Sequence, residues 1–561
     1  TPTANPISFY GDPWAIAQQS AGIPRGASCG LVDWLDFPLN PPDGGGLRGG
    51  SDFGVFRSRY GKYHAGEDWG FGGNGSSFGK PVYAIGTGLV TYAQPLGWGR
   101  DQGVIIVRHT FSDGSEILSF YGHLDPPSFL VEAGDCITRG QELAAIGRPR
   151  SSPHLHFEIR THLPWTPGPG YWETDPIPEG WLPPSQIVMN SRDQIMPGVR
   201  WAQIMPYEGN QFVGTLPNGD ILLLEDGALA SRNGQTGRLN FHLESDNPLL
   251  AATLDQASSL IYLADEDEQV LALTLESVVG IGRQDGATLP LAPLWQTELR
   301  YGGEPRLLVG PAGGLLLSAG RTLHYLSADG QALWQATMGG QLLSWLPDGD
   351  GLLLATDGVA DELWRATPGG AQQLTDQLTG LLNRNSQGNW LYGGDGLYQF
   401  QPAAGQLSAT YQLPDAYLSS GAFLTLPDDR LLIVHRDARD RRLLMFNADG
   451  SLLWQRSLTN DLQGEIQLHW HQGQVYLYAQ GSNVSLDNAR LFWLDEAARE
   501  LVLIFSGGSR TPLPQDSWIQ SSGPDLLLHI GGGSLILLDP TAALTTIQAT
   551  DTRLMSTRTA P

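Results

Sequence analysis

The chain is poor in cysteine and in charged residues. Its 561 residues include two cysteines, and only 16% of the residues are charged. Asp and Glu number 58 against 33 Lys and Arg, which gives a formal net charge of -25. Because phosphate groups are bound by basic patches, this charge argues against nucleic acid and against an anionic membrane surface as partners. The sequence also lacks an apolar run long enough to span a membrane.

The two cysteines are Cys29 and Cys136. The chain begins at Thr1 with a short polar segment, as a chain trimmed after export would, although a cloning boundary has the same look. In an exported protein the two cysteines can form one disulfide, and two unrelated buried thiols are an equal alternative. We expect a secreted or cell-surface protein and leave the pairing open.

Glycine, proline and aromatic residues are abundant. The sequence holds 71 Gly, 38 Pro and 17 each of Trp, Tyr and Phe, a composition typical of short strands joined by tight turns. A chain of this length is too long to fold around one hydrophobic core, so at least two domains are expected. A Pro-rich connection at residues 164–184 separates an irregular sequence before it from a periodic sequence after it. We therefore predict an all-β protein with domains at 1–192 and 193–550, followed by a tail at 551–561.

The second domain has a repeating pattern. A turn followed by an apolar strand recurs at a spacing of roughly 35 to 50 residues, which is the length of a four-stranded propeller blade. The recurrences begin at Leu216, Ser259, Gly310, Leu346, Gln387, Leu426, Gln472 and Gly523. Helical spacing of the apolar residues is missing, which argues against a helical solenoid. The pattern predicts a β-propeller of seven or eight blades and resembles the quinoprotein-like propellers, although no cofactor motif accompanies it.

Three compact histidine motifs lie in the first 160 residues. They are His64-x-x-x-Asp68, Tyr121-Gly-His123-Leu124 and His154-Leu-His156-Phe-Glu158. Alternate side chains of a strand share a face, so the third motif turns its histidines and glutamate to one side and its apolar residues to the core. His64 and Asp68 share a face in an extended segment or on a helical turn, and the nearby glycines favour the extended form. Two imidazoles and one carboxylate form a three-ligand zinc site with one open position, as catalytic sites have.

The segment from about residue 50 to 160 resembles the lysostaphin-like peptidases of family M23, which are zinc endopeptidases acting on bacterial cell walls. The shared motifs are His64-Ala-Gly-Glu-Asp68, Pro81-Val-Tyr-Ala84, Gly88-Leu-Val90, Tyr121-Gly-His-Leu124, Gly134-Asp-Cys-Ile-Thr-Arg-Gly-Gln141 and His154-Leu-His-Phe-Glu158. The resemblance implies that His64, Asp68 and His156 bind Zn²⁺. It also implies that His123 and His154 are the catalytic histidines, which orient water and polarise the developing oxyanion. The loop Gly147–Pro153 is shorter than its counterpart in the family, which bears on how a substrate fits.

The resemblance further implies a function. It indicates a secreted zinc metalloendopeptidase that hydrolyses peptide bonds of peptidoglycan, with a propeller that binds a protein or glycan partner. The alternatives are a non-catalytic scaffold or adhesion protein that uses its propeller, and a quinoprotein-type propeller enzyme. The five intact positions favour the peptidase. The sequence leaves open whether the enzyme cuts a Gly-Gly bridge or a D-amino-acid stem peptide, and whether the target is the producer's own cell wall or that of another cell. It also leaves open the ligand of the propeller and the oligomeric state.

Other polar residues are interpreted as structural. His109 is a strand-end residue, and His162 precedes the Pro-rich connection, with a substrate-groove role as the lesser alternative. His469 and His471 form a second His-x-His, but no carboxylate-rich motif accompanies them, so a packing role is preferred. The acidic run Asp265–Glu268 is interpreted as a solvated turn.

Overall fold

The computed structural model describes most of the chain between residues 29 and 547. Within that range it leaves out 43, 51, 73–75, 112–114, 162–167, 169, 194–195, 206–209, 285, 311–312, 358–361, 377–379, 394, 402–405, 414–421, 437–439, 459–461, 463–464, 481–488, 508–516 and 531–533. The chain divides into two compact units between Met196 and Pro197. The predicted tail at 551–561 and His162 lie outside the described residues. No helix of the described residues is long and apolar enough to cross a membrane.

The first unit is built on an antiparallel sheet. In chain order its strands are β1 Arg48–Gly49, β2 Phe56–Arg57, β3 Lys62–His64, β4 Glu67–Gly70, β5 Pro81–Tyr83, β6 Gly88–Gln94, β7 Gly103–Thr110, β8 Glu116–Leu124, β9 Cys136–Ile137, β10 Glu142–Ala145, β11 Leu155–Arg160, β12 Tyr171–Trp172 and β13 Trp181–Leu182. The main sheet has the order β1-β4-β11-β8-β7-β6-β9, with β13 also paired to β11. Two small sheets, β10-β5 and β12-β3-β2, flank it, and helix α1 spans Pro184–Asp193. The predicted domain boundary after residue 192 falls in the last turn of this helix.

Strand β11 is central to this unit. It lies between β4 and β8, and its Leu155, Phe157 and Ile159 are completely buried, in agreement with the alternation predicted from the sequence. The strand begins at Leu155, so His154 directly precedes it, while His156 is its second residue. The motif residues therefore stand on a rigid central strand rather than on a loop.

A disulfide ties the N-terminal stretch to the edge of the sheet. Cys29 is bonded to Cys136 in β9, with their Cα atoms 5.2 Å apart. Nearby, Arg139 donates to Asp36 Oδ2 at 2.5 Å and lies 4.0 Å from the centroid of the Trp34 ring. The pairing that the sequence left open is thus one intrachain disulfide.

Among its described residues the second unit contains eight sheets, each built on four antiparallel strands. The strands are β14 Val199–Ile204; β15 Gln211–Thr215, β16 Ile221–Glu225, β17 Ala228–Arg232, β18 Leu239–Glu244; β19 Leu249–Asp255, β20 Leu260–Asp265, β21 Gln269–Thr274, β22 Ala287–Pro290, β23 Trp295–Glu298; β24 Pro305–Val309, β25 Leu315–Ala319, β26 Thr322–Leu326, β27 Ala332–Thr337; β28 Gln341–Asp348, β29 Gly351–Asp357, β30 Leu363–Thr367, β31 Gly370–Thr375; β32 Leu381–Asn385, β33 Gly388–Tyr392, β34 Gly396–Gln401, β35 Gln406–Gln412; β36 Ala422–Thr425, β37 Leu431–Arg436, β38 Arg441–Phe446, β39 Leu452–Leu458; β40 Ile466–His471, β41 Gln474–Ala479, β42 Ala489–Asp495, β43 Glu500–Gly507; β44 Trp518–Ser522, β45 Asp525–Ile530 and β46 Ser534–Leu538.

This order is that of an eight-bladed β-propeller. The last blade has the order β14-β46-β45-β44, so the first strand of the unit closes the ring by pairing with its last. The second blade is β19-β20-β21-β23; between β21 and β23 the chain forms helix α2 Leu275–Ile281 and then β22, which pairs in parallel with β18 of the first blade. The predicted all-β class and propeller are confirmed, and the eight anchors of the sequence pattern mark the turns between the first and second strands of the eight blades.

Repeated side-chain hydrogen bonds join neighbouring blades. Tryptophans in the fourth strands donate from Nε1 to a backbone carbonyl of the next blade: Trp201 to Gly234 O at 3.1 Å, Trp295 to Ala328 O at 3.0 Å and Trp334 to Thr367 O at 2.9 Å. Amides in the first strands do the same: Gln211 donates to Ala252 O at 2.9 Å, Asn383 to Phe423 O at 3.1 Å and Gln467 to Ser517 O at 2.9 Å. Each bond satisfies polar groups at the blade interface, so the network stabilises the ring.

Candidate active site

Two paired strands and a short turn bring the predicted metal ligands together. Asp68 of β4 lies directly opposite His156 of β11, and His64 is the last residue of β3, one short turn before β4. The candidate ligand atoms of His64, Asp68 and His156 all lie within 4.8 Å of one another. Residues 92 positions apart in sequence therefore meet because β4 and β11 are neighbours in the sheet.

The distances in this cluster fit one metal ion. Asp68 Oδ1 lies 3.0 Å from His156 Nδ1 and 3.4 Å from His64 Nε2, and the two imidazole nitrogens are 3.2 Å apart. Three donors at these separations can share an ion at about 2 Å from each, as two imidazoles and one carboxylate do around zinc. The three residues form a candidate metal site, and their assignment as ligands stays a prediction.

Buried acceptors orient both imidazoles. His64 Nδ1 is 3.0 Å from the carbonyl oxygen of Asp52, and His156 Nε2 is 2.8 Å from Glu158 Oε1. The Glu158 carboxylate is fully buried and also accepts from Arg160 Nε at 2.6 Å and from Trp181 Nε1 at 2.8 Å. These contacts hold His64 Nε2 and His156 Nδ1 toward the cluster, which is the usual way that outer residues fix the ligand atom of a histidine.

Gly66 explains one position of the His-x-Gly-x-Asp motif. A β-carbon on Gly66 would lie 2.6 Å from the carbonyl oxygen of Phe157 and 2.8 Å from His156 Nε2. Both distances are shorter than real β-carbon contacts, so a side chain here would push β11 away. Glycine at this position lets the His64–Asp68 segment approach the ligand strand.

The two predicted catalytic histidines lie beside the cluster. The ring centroids of His123 and His154 are 4.6 Å apart, and His154 Nε2 is 3.4 Å from Asp68 Oδ1. His123 Nδ1 is 2.8 Å from the Asp101 carbonyl oxygen, and His154 Nδ1 is 2.6 Å from the Ser152 carbonyl oxygen. Since a carbonyl only accepts, both Nδ1 atoms carry protons. This leaves His123 Nε2 for the chemistry, while His154 Nε2 faces the Asp68 carboxylate.

The environment moves the histidine pKa values apart. Burial lowers the pKa of His123 to about 4, and the neighbouring His154 and His156 add to this effect. Burial also acts to lower the pKa of His64, but hydrogen bonds with Asp52 and Asp68 outweigh it and raise the value to about 10. The pKa of His154 is raised because its hydrogen bond with Asp68 outweighs burial in the same way. Such divergence among neighbouring titratable groups is typical of active sites.

The five residues border an open cleft of about 580 Å³. All but His64 line it, together with residues that the sequence analysis did not predict: Arg59, Tyr60, Trp98, Asp101, Arg150, Ser151, Gly170 and Tyr171. The Trp98 ring lies 5.0 Å from His123 and 5.3 Å from His156, and its Nε1 donates to Gly168 O at 2.5 Å. Tyr171 pairs with His64 across β12 and β3. None of these residues belongs to a family motif, so the sequence carried no signal for them.

The histidines interpreted as structural have protein partners. His109 is buried, with Nδ1 3.0 Å from the Thr87 carbonyl oxygen and Nε2 2.8 Å from Ser119 Oγ. In the propeller, His469 Nε2 and His471 Nδ1 lie 2.8 and 2.9 Å from Ser521 Oγ. The partners in these hydrogen bonds are carbonyl and hydroxyl oxygens rather than carboxylates, which separates both arrangements from the cluster at Asp68.

Comparison with known proteins gives a family for the first unit. Residues 62–167 match the model of peptidase family M23. Among solved structures, the chain is similar to BamB from Moraxella catarrhalis at 12% identity, covering 60% of this chain and 97% of that one with a TM-score of 0.40. It is also similar to Sqt1 from Saccharomyces cerevisiae at 10% identity, covering 61% and 99% with a TM-score of 0.45. No curated protein matches the chain in sequence. The chain thus carries a peptidase family M23 domain in its first unit, followed by a β-propeller.

Proposed function

We propose that this protein is an exported zinc metalloendopeptidase that hydrolyses peptide bonds of bacterial peptidoglycan. One observation carries the proposal: His64, Asp68 and His156 offer three ligand atoms within 4.8 Å, and His123 and His154 lie beside them, with His154 Nε2 facing Asp68. A structural zinc site is usually closed by four protein ligands, whereas three ligands leave one position for the reaction.

The chain's own residues have defined roles in this chemistry. A zinc ion held by the three ligands would supply Lewis acidity, polarising the scissile carbonyl and acidifying a water molecule. His123 Nε2 can orient that water and accept its proton, because Nδ1 is committed to the Asp101 carbonyl. His154, held by the Ser152 carbonyl, presents Nε2 on the same side and can donate a hydrogen bond to the developing oxyanion once protonated.

Export is supported by the disulfide between Cys29 and Cys136. Disulfides persist in oxidising compartments and are rare in the reducing cytosol. Peptidoglycan also lies outside the cytoplasm, so the proposed substrate and the disulfide indicate the same compartment. In this proposal the propeller contributes recognition of a protein or glycan partner rather than a second reaction.

The test measures metal and activity on the same samples. The wild-type protein, purified without chelators, is expected to contain stoichiometric zinc and to release soluble peptides from purified cell walls. His123→Ala should retain the zinc and lose most of the hydrolysis. A wild-type protein that neither carries nor takes up zinc would overturn the proposal. Bound zinc without wall hydrolysis would instead favour a non-catalytic scaffold that acts through its propeller.

A further inference from the structure

The cleft is less acidic than the composition of the chain suggests. The charged residues that line it are Arg59, Asp68, Asp101 and Arg150. Asp68 is a candidate metal ligand, and Asp101 is paired with Arg150. Neither carboxylate is left to attract a cationic group of a substrate. The chain as a whole has a net charge of -25, so a cleft with two arginines and two aspartates is less negative than the protein around it.

Arg150 is held in place and still has donors to offer. Its Nε lies 3.0 Å from both carboxylate oxygens of Asp101, and its Nη2 also contacts Asp101 Oδ2. This bidentate contact uses one edge of the guanidinium and fixes its plane. The side chain is 72% exposed, so the Nη1 donors on the other edge face solvent at the cleft.

Arg150 belongs to the loop that departs from the family pattern. That loop, Gly147–Pro153, is anchored to the turn before β7: Arg148 N donates to Gln102 Oε1 at 2.5 Å, and Arg150 N donates to Asp101 Oδ1 at 3.2 Å. A β-carbon on Gly147 would lie 1.7 Å from Gln102 Oε1, so this close anchoring requires glycine. The departure noticed in the sequence thus places a guanidinium at the edge of the cleft.

Arg59 supplies the second cation. It follows β2 in the turn before β3, is exposed, and packs over the Tyr60 ring with its guanidinium carbon 5.6 Å from the ring centroid. Among the described residues no carboxylate forms an ion pair with it, whereas Arg57 nearby is bonded to Asp52 at 2.6 Å. All five N–H donors of a guanidinium that lacks such a partner are open to a ligand.

We propose that Arg59 and Arg150 select peptides that carry a carboxylate close to the scissile bond. This inference rests on the proposed peptidase function and narrows its substrate class. Within peptidoglycan it favours the stem peptide, whose D-iso-glutamyl residue has a free α-carboxylate, over a neutral oligoglycine bridge. A bound Zn²⁺ would strengthen the preference, because its two charges exceed the single charge of Asp68.

The experiment compares two peptides that differ in one functional group. Full-length zinc-loaded protein is incubated with a stem tetrapeptide dimer whose D-iso-glutamyl α-carboxylate is free, with the same dimer carrying a carboxamide there, and with pentaglycine. We expect kcat/KM to be about 5- to 10-fold higher for the carboxylate than for the carboxamide, as one charge-assisted contact at a partly exposed site would give. Raising the ionic strength should reduce this ratio.

Variants assign the preference to the cleft. Arg59→Gln should bring the carboxylate-to-carboxamide ratio close to one while zinc content and melting temperature stay those of the wild type. Arg150→Gln should lower the ratio as well. Arg283→Gln, which removes an exposed arginine of the propeller, is the matched control and should leave the ratio unchanged.

Each outcome either supports or overturns the inference. Equal cleavage of the two stem dimers, faster cleavage of pentaglycine, or an unchanged ratio in Arg59→Gln overturns it and leaves the peptidase function standing. Failure to cut any of the three peptides, together with failure to hydrolyse whole cell walls, removes the peptidase function and this inference with it. The two failures are therefore distinguishable.

Discussion

Two strands of this molecule carry His-x-His, and their surroundings differ. In the first unit His156 is bonded to Glu158 on one side and faces Asp68 and His64 on the other. In the propeller, His469 and His471 both point at the hydroxyl of Ser521, and His471 Nε2 lies 2.9 Å from the Pro524 carbonyl. The spacing is the same in both, but only the first pair meets a carboxylate and a third imidazole.

The comparison teaches that partners from other strands, rather than the motif, decide the chemistry. In the first unit, buried polar side chains converge on one cleft. In the propeller, amides of the first strands are instead distributed over the blade interfaces, where each donates to a backbone carbonyl of a neighbouring blade. Convergence serves a reaction, because it concentrates charge at one place, whereas distribution serves stability. The following four predictions test this contrast, from the largest expected effect to the smallest.

Removal of one histidine from each pair should have opposite outcomes for the metal. His156→Ala deletes one of three ligands, so we expect stoichiometric zinc binding to be lost. His471→Ala should leave the zinc content unchanged, since no carboxylate is bonded to its ring. Metal analysis after exhaustive dialysis measures both. Stoichiometric zinc in His156→Ala would contradict the assignment of the metal site.

The second prediction separates catalysis from metal binding. His123→Ala should retain zinc and lower the rate of wall hydrolysis by roughly 10²- to 10⁴-fold, the usual cost of losing a general acid–base group. His469→Ala is the control and should hydrolyse walls at the wild-type rate. A wild-type rate in His123→Ala would exclude this side chain from the mechanism.

The third prediction concerns a buried ion pair of the propeller. Glu225 accepts from Arg232 Nε at 2.5 Å and Nη2 at 2.8 Å. Burial acts to raise the Glu225 pKa, but the Arg232 contacts outweigh it and lower the value to about 2. Because the folded pKa lies below the unfolded one, the pair stabilises the fold above about pH 4.5, and this contribution is lost as the pH falls toward 2.

Glu225→Gln should therefore reduce the free energy of unfolding by about 3 kcal/mol at pH 7 and by much less near pH 2.5. Denaturant titration at the two pH values measures the difference, and zinc content should not change. Glu298→Gln removes an exposed partner that is 3.9 Å from Arg300 and should alter stability by less than about 0.5 kcal/mol. An equal loss for Glu225→Gln at both pH values would show that the ion pair is not its cause.

The smallest effect is expected at the tryptophans that join the blades. Trp334→Phe keeps most of the ring but removes the hydrogen bond to Thr367 O, which should cost about 1 kcal/mol. Trp345 is 44% exposed, so Trp345→Phe is a suitable control and should cost less. Thermal unfolding of the two variants side by side would show whether the repeated bond contributes as proposed.

The sequence offered candidate site residues where its motifs are local, and the structure brings these candidates together. The proposed ligands and catalytic histidines were named because each sits in a short motif with a fixed spacing. Asp101 could not be found, because it contacts His123 through its backbone carbonyl, and any residue type can supply that atom. Asp52 contacts His64 through both its carbonyl and its carboxylate, but it lies outside the three histidine motifs. Arg59 and Arg150 were missed because loops, rather than a strand pattern, bring them to the cleft.

The sequence predicted the propeller fold more easily than the number of its blades. The turn before each second strand repeats clearly, but two features blur the period. Helix α2 and strand β22 are inserted within the second blade, and the eighth blade takes its fourth strand, β14, from the start of the unit. Pairing between strands that are more than 300 residues apart leaves no local pattern in the sequence.

The pairing of β14 with β46 also fixes the order of events during synthesis. The sheets of the M23 domain are complete once β13 has been made, so this unit can fold while the ribosome is still adding blades. The ring cannot close until Ser534–Leu538 has left the ribosome and paired with β14. A nascent chain halted between these points would have a finished peptidase fold beside an open array of blades with an unpaired edge, the form most exposed to aggregation.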